Sequence, residues 1–383
     1  MVDTRNWFSE IPSSRLRQLR ASCRYGCEIE IENRRYVNFS SNDYLGLAND
    51  ASVMRAAKDA IDHYGFGSGG SRLISGDHPL LHQLEGAIAA WKGYEAALVV
   101  GSGMLMNIGL LPALVSRHET IFSDKLNHAS LVDGVRLSGA KSVRYGHGDM
   151  QSLARALARS LDKADGDRRI IVSDGVFSMD GDIAELQSLA ALAQQYDALL
   201  LVDDAHGVGV CGTKGLGAVN LAGLQGGERL IEVGTFGKAF GSYGAYVLGT
   251  TAMIEGLRQR MRTLIYSTAL PPAITAATLA ALPLIQQGDL IARLHANIDY
   301  FRQQMAAGSL MLMPSTTAIQ PIVFGSDEAA LAAAERLKEA GFFVPAIRPP
   351  TVPEGSARLR VTLSAAHERG QIEGLIQALN GLA

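Results

Sequence analysis

The 383-residue sequence carries 35 Lys and Arg against 38 Asp and Glu, a formal net charge of -3, so it lacks the cationic excess that general nucleic-acid binding requires. Hydrophobic residues at 47%, charged residues at 19% and 41 glycines supply a large core and exclude a disordered chain. Three cysteines, Cys23, Cys27 and Cys211, are too few and odd in number for a disulfide framework. No Cys or His pair follows them at metal-ligand spacing, so free thiols, a cytoplasmic location and no metal are expected.

In chain order, residues 5–22 are predicted to be helical, and residues 27–39 (CEIEIENRRYVNF) alternate as a hairpin with Asn33 near its turn. The first twenty residues lack the continuous apolar segment of a signal peptide. From about residue 50 to 250, amphipathic helices take turns with apolar strands at 95–100, 120–124, 169–174, 198–204, 230–236 and 245–249. This predicts an α/β domain with a mainly parallel sheet covered on both faces. A long helical stretch follows Pro271 and Pro272. Its apolar run at 274–285 is too short to span a membrane and contains Pro283, so it is predicted to be a buried helix. The tail has predicted strands near 318–325, 342–347 and 358–364 and an alanine-rich helix around 328–339. The expected organisation is an N-terminal helix and hairpin segment (1–45), a large α/β domain (46–275) and a smaller α+β C-terminal domain (276–383), the last boundary running through a helix.

Four places carry chemistry. Lys238 lies in GTFGKAFGSYG directly after a strand, where Gly234, Gly237, Gly241 and Gly244 allow close backbone approach to a ligand. A lysine shielded from water has a depressed pKa and can form a Schiff base with an aldehyde. Asp203 ends the strand ALLLV, at the sheet edge where open α/β folds bind ligands. His206 follows three residues later, while Asp204 suits a helix cap. A carboxylate there can keep a pyridine nitrogen protonated and an imidazole can bond a ring hydroxyl. GSGMLMN at 101–107 has Met106 where a dinucleotide fingerprint needs its third glycine. A turn opening a helix there can still hold one phosphate by its amides. His128 sits in a loop after a strand, in SDKLNHASL.

Taken in order, NFSSNDYLGL (38–47), GSGGSRLISG (67–76), LNHASL (126–131), GVFSMDGD (175–182), VDDAHGVG (202–209), TFGKAFG (235–241), IYSTALPP (265–272) and RPPTVPEGSARLRVTLSAAH (348–367) resemble the α-oxoamine synthase family of fold-type I enzymes dependent on pyridoxal 5′-phosphate (PLP). The likeness spans nearly the whole chain. It implies that Lys238 holds the cofactor aldehyde, Asp203 faces the pyridine nitrogen, and His206 and Ser178 contact the ring hydroxyl region. It further implies that His128 stacks on the ring, that Thr235 binds phosphate with Gly103 and Met104, and that Ser267 and Thr268 reach the phosphate from the neighbouring subunit of a homodimer. Met104 departs from the pattern, since related sequences usually carry an aromatic residue there.

Family members differ in amino acid and acyl donor. AIRPPTVP (346–353) is similar to the members that join L-alanine to a pimeloyl thioester in biotin formation. Arg360 matches the position that grips the amino-acid carboxylate, and Thr351 a substrate-contacting position. An N-terminal arginine is expected to assist, with Arg17 favoured over Arg15 and Arg20, although a solvated helix face is an equal reading for any one of the three. Glycine- or serine-using relatives, such as 2-amino-3-ketobutyrate ligase or 5-aminolevulinate synthase, are the alternative, and a non-catalytic PLP-fold regulator is disfavoured by the intact Lys238, Asp203 and His206. Whether coenzyme A or acyl carrier protein brings the acyl group stays open. Arg258, Arg260 and Arg262 form a basic cluster that could meet an acidic carrier, but a solvated helix face is the favoured reading.

Overall fold

The computed structural model describes residues 11, 12, 15, 16, 19–161 and 168–382. Its centre is a seven-stranded sheet in the order Ala96–Val100, Ala245–Gly249, Leu230–Thr235, Ala198–Asp203, Arg169–Asp174, Thr120–Asp124 and Lys141–Tyr145. Ala245–Gly249 runs antiparallel to both neighbours, and the remaining pairs are parallel. Six strands match the prediction to within a residue or so. The edge strand Lys141–Tyr145 escaped it because only its last residue is buried, so it has no apolar run.

Side chains alternate across the sheet, and both faces are apolar. Val99, Phe122, Ile171, Leu200 and Val202 join one buried layer, while Leu98, Ile121, Ile170, Val172 and Leu201 join the other. This is why the strands read as continuous hydrophobic runs rather than as an alternation. Helix Gly103–Leu114 begins inside GSGMLMN as expected, with the Ser102 hydroxyl capping the Leu105 amide at 3.2 Å.

The N-terminal hairpin forms as predicted from Glu28–Ile31 and Arg34–Asn38. Its turn residues Glu32 and Asn33 both lie in the left-handed region, as a two-residue hairpin turn requires. The helix predicted over 5–22 is corrected where it can be followed. None of the described residues in that range is α-helical, and Ser22–Tyr25 is a strand paired with Glu28–Ile31 around Gly26, whose φ is +60°. The strand predicted at 342–347 is in fact two. Phe342–Phe343 pairs in parallel with the hairpin strand Arg34–Asn38, whereas Ala346–Ile347 pairs with Ala357–Thr362. The chain changes sheets between them at Val344 and Pro345, and Pro345 has no amide to continue a ladder.

The stretch after Pro271 forms two helices, Pro272–Gln287 and Asp289–Met305, bent by 65° at Gly288. The first retains Pro283 and buries Ala277, Ala281, Leu282 and Ile285. No single helix among the described residues is long and apolar enough to cross a membrane. The last sheet runs Met311–Leu312, Ile319–Gly325, Ala357–Thr362, Ala346–Ile347, backed by the predicted alanine-rich helix, Asp327–Glu339.

Candidate active site

The carboxyl ends of the central strands open onto a cavity of about 210 Å³ whose lining includes Lys238, Asp203, His206, His128, Thr235 and Ser178. Gly103 and Met104 also line it, at the start of their helix, as do Ser130 and Asp174. Parallel strands that stop at the same edge bring together side chains more than a hundred residues apart.

Asp203 is buried and held at both oxygens. Asn107 Nδ2 donates to Oδ2 at 2.6 Å, and the Ala205 amide donates to Oδ1 at 3.0 Å. Asp204 points elsewhere. It lies wholly in the core, where its Oδ2 accepts the Ala218 amide at 2.9 Å and Lys92 Nζ stands 3.9 Å away. Burial raises its pKa to about 8. The alternative of a capping aspartate therefore belongs to Asp204, and the cavity belongs to Asp203.

Burial also acts on the bases. It pulls the Lys238 amine down from 10.5 to about 8, against the pull of Asp203 and Asp174. It holds His206 well below its ordinary value, helped by the Lys238 and Arg360 charges. His206 is buried, and its Nδ1 lies 2.6 Å from the Tyr44 hydroxyl. His128 is exposed where it lines the cavity, and its ring meets Ser130 through Nδ1. The His128 amide donates to Asp174 Oδ2 at 2.8 Å. The Asp174 carboxyl is itself raised well above its usual range by burial and then by Asp203.

Arg360, on the C-terminal strand Ala357–Thr362, does not itself line the cavity but touches Ser178, which does. Its Nε donates to the Ser178 carbonyl at 2.7 Å, and Nη1 and Nη2 each donate to Asn42 Oδ1 at 3.2 Å. The Thr235 hydroxyl donates to the Gly244 carbonyl at 2.9 Å and accepts the Gly237 amide at 3.1 Å. Thr351 is exposed in a turn closed by its amide on the Arg348 carbonyl and does not line the cavity. Ser267 and Thr268 also lie outside that lining, Thr268 being exposed.

Arg17 lies outside the described residues. Arg15 is committed to Glu354 at 2.8 Å and Asp327 at 3.4 Å, while Arg20 lines a separate cavity of about 630 Å³ together with Arg348. Arg258 pairs with Glu255 within its own helix, and Arg262 packs on the Tyr266 ring. Sequence reasoning passed over Asn107, Asp174, Ser130 and Tyr44. Asn107 was within reach, since GSGMLMN is a helix opening and its last residue falls one turn inside; the others needed the spatial arrangement.

The aminotransferase class I and II family model matches residues 34–379. The chain is 50% identical over 355 residues to an 8-amino-7-oxononanoate synthase of Alkalilimnicola ehrlichii, covering 92% of this chain and 90% of that one. It is 46% identical over 377 residues to one of Aromatoleum aromaticum, covering 98% and 96%. The chain belongs to the 8-amino-7-oxononanoate synthase family. Among solved structures, an 8-amino-7-oxononanoate synthase from Francisella tularensis matches with a TM-score of 0.78 at 34% identity, over 90% of this chain and 97% of that one. Serine palmitoyltransferase of Sphingomonas wittichii matches with a TM-score of 0.89 at 30% identity, over 93% and 89%. The 8-amino-7-oxononanoate synthase family thus has here the fold-type I architecture expected from the motifs, with a large mainly parallel sheet and a smaller α+β part.

Proposed function

We propose that this chain condenses L-alanine with a pimeloyl thioester, releasing carbon dioxide and the thiol carrier, to form 8-amino-7-oxononanoate for biotin formation, with pyridoxal 5′-phosphate as cofactor. The cavity's residues fit that group. Its aldehyde needs an amine that is partly neutral near physiological pH, which Lys238 supplies, and its ring nitrogen needs a fixed carboxylate, which Asp203 supplies with both oxygens anchored. When bound, the cofactor supplies an electron sink for charge developing at the alanine α-carbon.

The chain's own groups do the rest. Asp203 holds the ring-nitrogen proton by charge. His128 stacks on the ring, and its exposure where it lines the cavity leaves it free to do so. His206 and Ser178 meet the ring hydroxyl, with His206 oriented by Tyr44. Gly103, Met104 and Thr235 bind phosphate. The Met104 contact is through its backbone, so the missing aromatic side chain leaves it intact.

Arg360 presents two donors to one acceptor, Asn42 Oδ1; the carboxylate of alanine offers the fork the same kind of acceptor with two oxygens. Lys238 Nζ then takes the α-proton and later returns a proton to the product carbon. The family resemblance alone assigns Thr351 and Arg17 to the substrate, and Thr351 does not line the cavity of its own chain. Ser267 and Thr268 complete the phosphate site of a second copy in a homodimer, a role compatible with their lying away from their own cavity.

The observation that carries this reading is the meeting of Lys238 and Asp203 in one cavity of a chain half identical to named synthases. Thioester-dependent carbon dioxide release with alanine, glycine and serine tests it. Alanine with pimeloyl-coenzyme A or the pimeloyl carrier protein is expected to give the highest kcat/KM. Preference for glycine with a short acyl donor, or for serine with a palmitoyl donor, would assign the chain to a sister reaction.

A further inference from the structure

Asn107 enters above only as one anchor of Asp203 and Ser130 has no role there, yet together they join Asp203 to His128. Asn107 is fully buried and Ser130 almost so. A carboxylate only accepts hydrogen bonds, so the Asn107 group 2.6 Å from Asp203 Oδ2 is its NH2. The same nitrogen lies 2.9 Å from Ser130 Oγ, so its second hydrogen is donated there. Ser130 Oγ, which keeps a second lone pair, also lies 2.8 Å from His128 Nδ1. The Ser130 backbone amide approaches the same Nδ1 at 3.3 Å. A backbone amide can only donate, so Nδ1 carries a lone pair, and the Ser130 hydroxyl proton turns to it as the second donor.

We propose that Asn107 is a positioning residue that anchors the Asp203 carboxylate and, through Ser130, fixes His128 as the neutral tautomer with its proton on Nε2. Every hydrogen in the chain then has one direction, from Asn107 outward to Asp203 and to His128. Protonating His128 would demand that the Ser130 hydroxyl reverse and that its amide lose its acceptor. The imidazole stays uncharged, and an uncharged ring can stack on the cationic pyridinium that Asp203 maintains without like-charge repulsion. This inference rests on the cofactor reading for its purpose, but the tautomer itself does not depend on turnover.

The test is nitrogen NMR of enzyme labelled in its histidines, in the PLP-loaded and cofactor-free forms, with His128→Gln assigning the resonances. Wild type should show His128 with Nε2 protonated and Nδ1 bare, unchanged across about pH 6 to 8. Ser130→Ala and Asn107→Leu should each give mixed tautomers and a titration within that range. Asn107→Leu alone should also shift the visible absorbance of the bound cofactor, because it releases Asp203 while Ser130→Ala does not. A wild-type proton on Nδ1, or His128 signals indifferent to both substitutions, would overturn the proposal. Should Asn107→Leu fail to fold, Ser130→Ala decides the His128 link, and Asn107→Ser, which keeps a polar group but shortens it, decides the Asp203 link by its absorbance. Wild-type turnover of alanine with pimeloyl thioester, measured separately, reports on the functional reading and leaves the tautomer result untouched.

Discussion

Lys238 is expected to titrate near 8 in the cofactor-free protein, and the consequence is large enough to measure directly. Burial lowers the amine from 10.5 to about 8, partly opposed by Asp203 and Asp174. At about pH 7.5 a group of that pKa is roughly one-quarter neutral, against about one-thousandth for an ordinary lysine, so its nucleophilic fraction is larger by roughly 200-fold, equivalent to about 3 kcal/mol. Competitive acetylation followed by peptide mass spectrometry reads the neutral fraction at Lys238 as pH is varied, with the other lysines as internal references. The rate should rise through pH 8 and then level off. Asp203→Asn removes a carboxylate that raises the Lys238 pKa, so its midpoint should move below that of wild type. A rate that keeps climbing toward pH 10 in wild type, or an Asp203→Asn midpoint that moves upward, would refute the reasoning about burial and charge.

Lys238→Ala should bind PLP without the visible absorbance of a lysine-bound cofactor and lose turnover; retention of both would place the site elsewhere. His147 bridges Asp124 at 3.1 Å and Asp182 at 3.0 Å, and those hydrogen bonds raise its pKa from 6.5 to about 10. A raised pKa stabilises the fold fully below the unfolded value and loses that contribution as pH rises through 10. His147→Gln should therefore cost about 1–2 kcal/mol at pH 7, allowing for solvent screening of a partly exposed group, and denaturant titrations of the two proteins should converge at high pH. Arg358 binds Asp180 and the Met179 carbonyl, so Arg358→Leu should cost about 3 kcal/mol by leaving a carboxylate unpaired, with Arg358→Leu/Asp180→Leu recovering part of it in the same titration. If two copies share each site, co-expressed Lys238→Ala and Thr268→Glu chains should regain about a quarter of wild-type activity, since about half the dimers are mixed and each has one intact site; inactive mixed dimers would remove Thr268 from the shared site.

The legible part of this protein was whatever repeats along the chain. Apolar runs such as ALLLV and RIIV declared strands buried on two faces, and the glycines around Lys238 and the carboxylate ending ALLLVD announced a ligand-facing edge, because these signals lie within a few consecutive residues. Lys141–Tyr145 stayed silent because an exposed edge strand needs backbone partners more than apolar side chains. The separate destinations of Phe342–Phe343 and Ala346–Ile347 were hidden for a related reason, since strand pairing is a contact with distant chain and leaves no local mark. The same holds at the site. Asp203 and Asp204 are chemically identical neighbours; the motif around His206 favoured Asp203, and the alternation of the strand end, one side toward the cavity and one toward Ala218 and Lys92, gives the physical reason. Asn107 acquires its place from two partners, Ser130 23 residues later and Asp203 96 residues later. Sequence alone determined which chemical groups were present and which elements carry them; the tertiary structure decided which face one another, because burial, hydrogen-bond direction and pKa depend on neighbours that the folded sheet, and not the chain order, brings into contact.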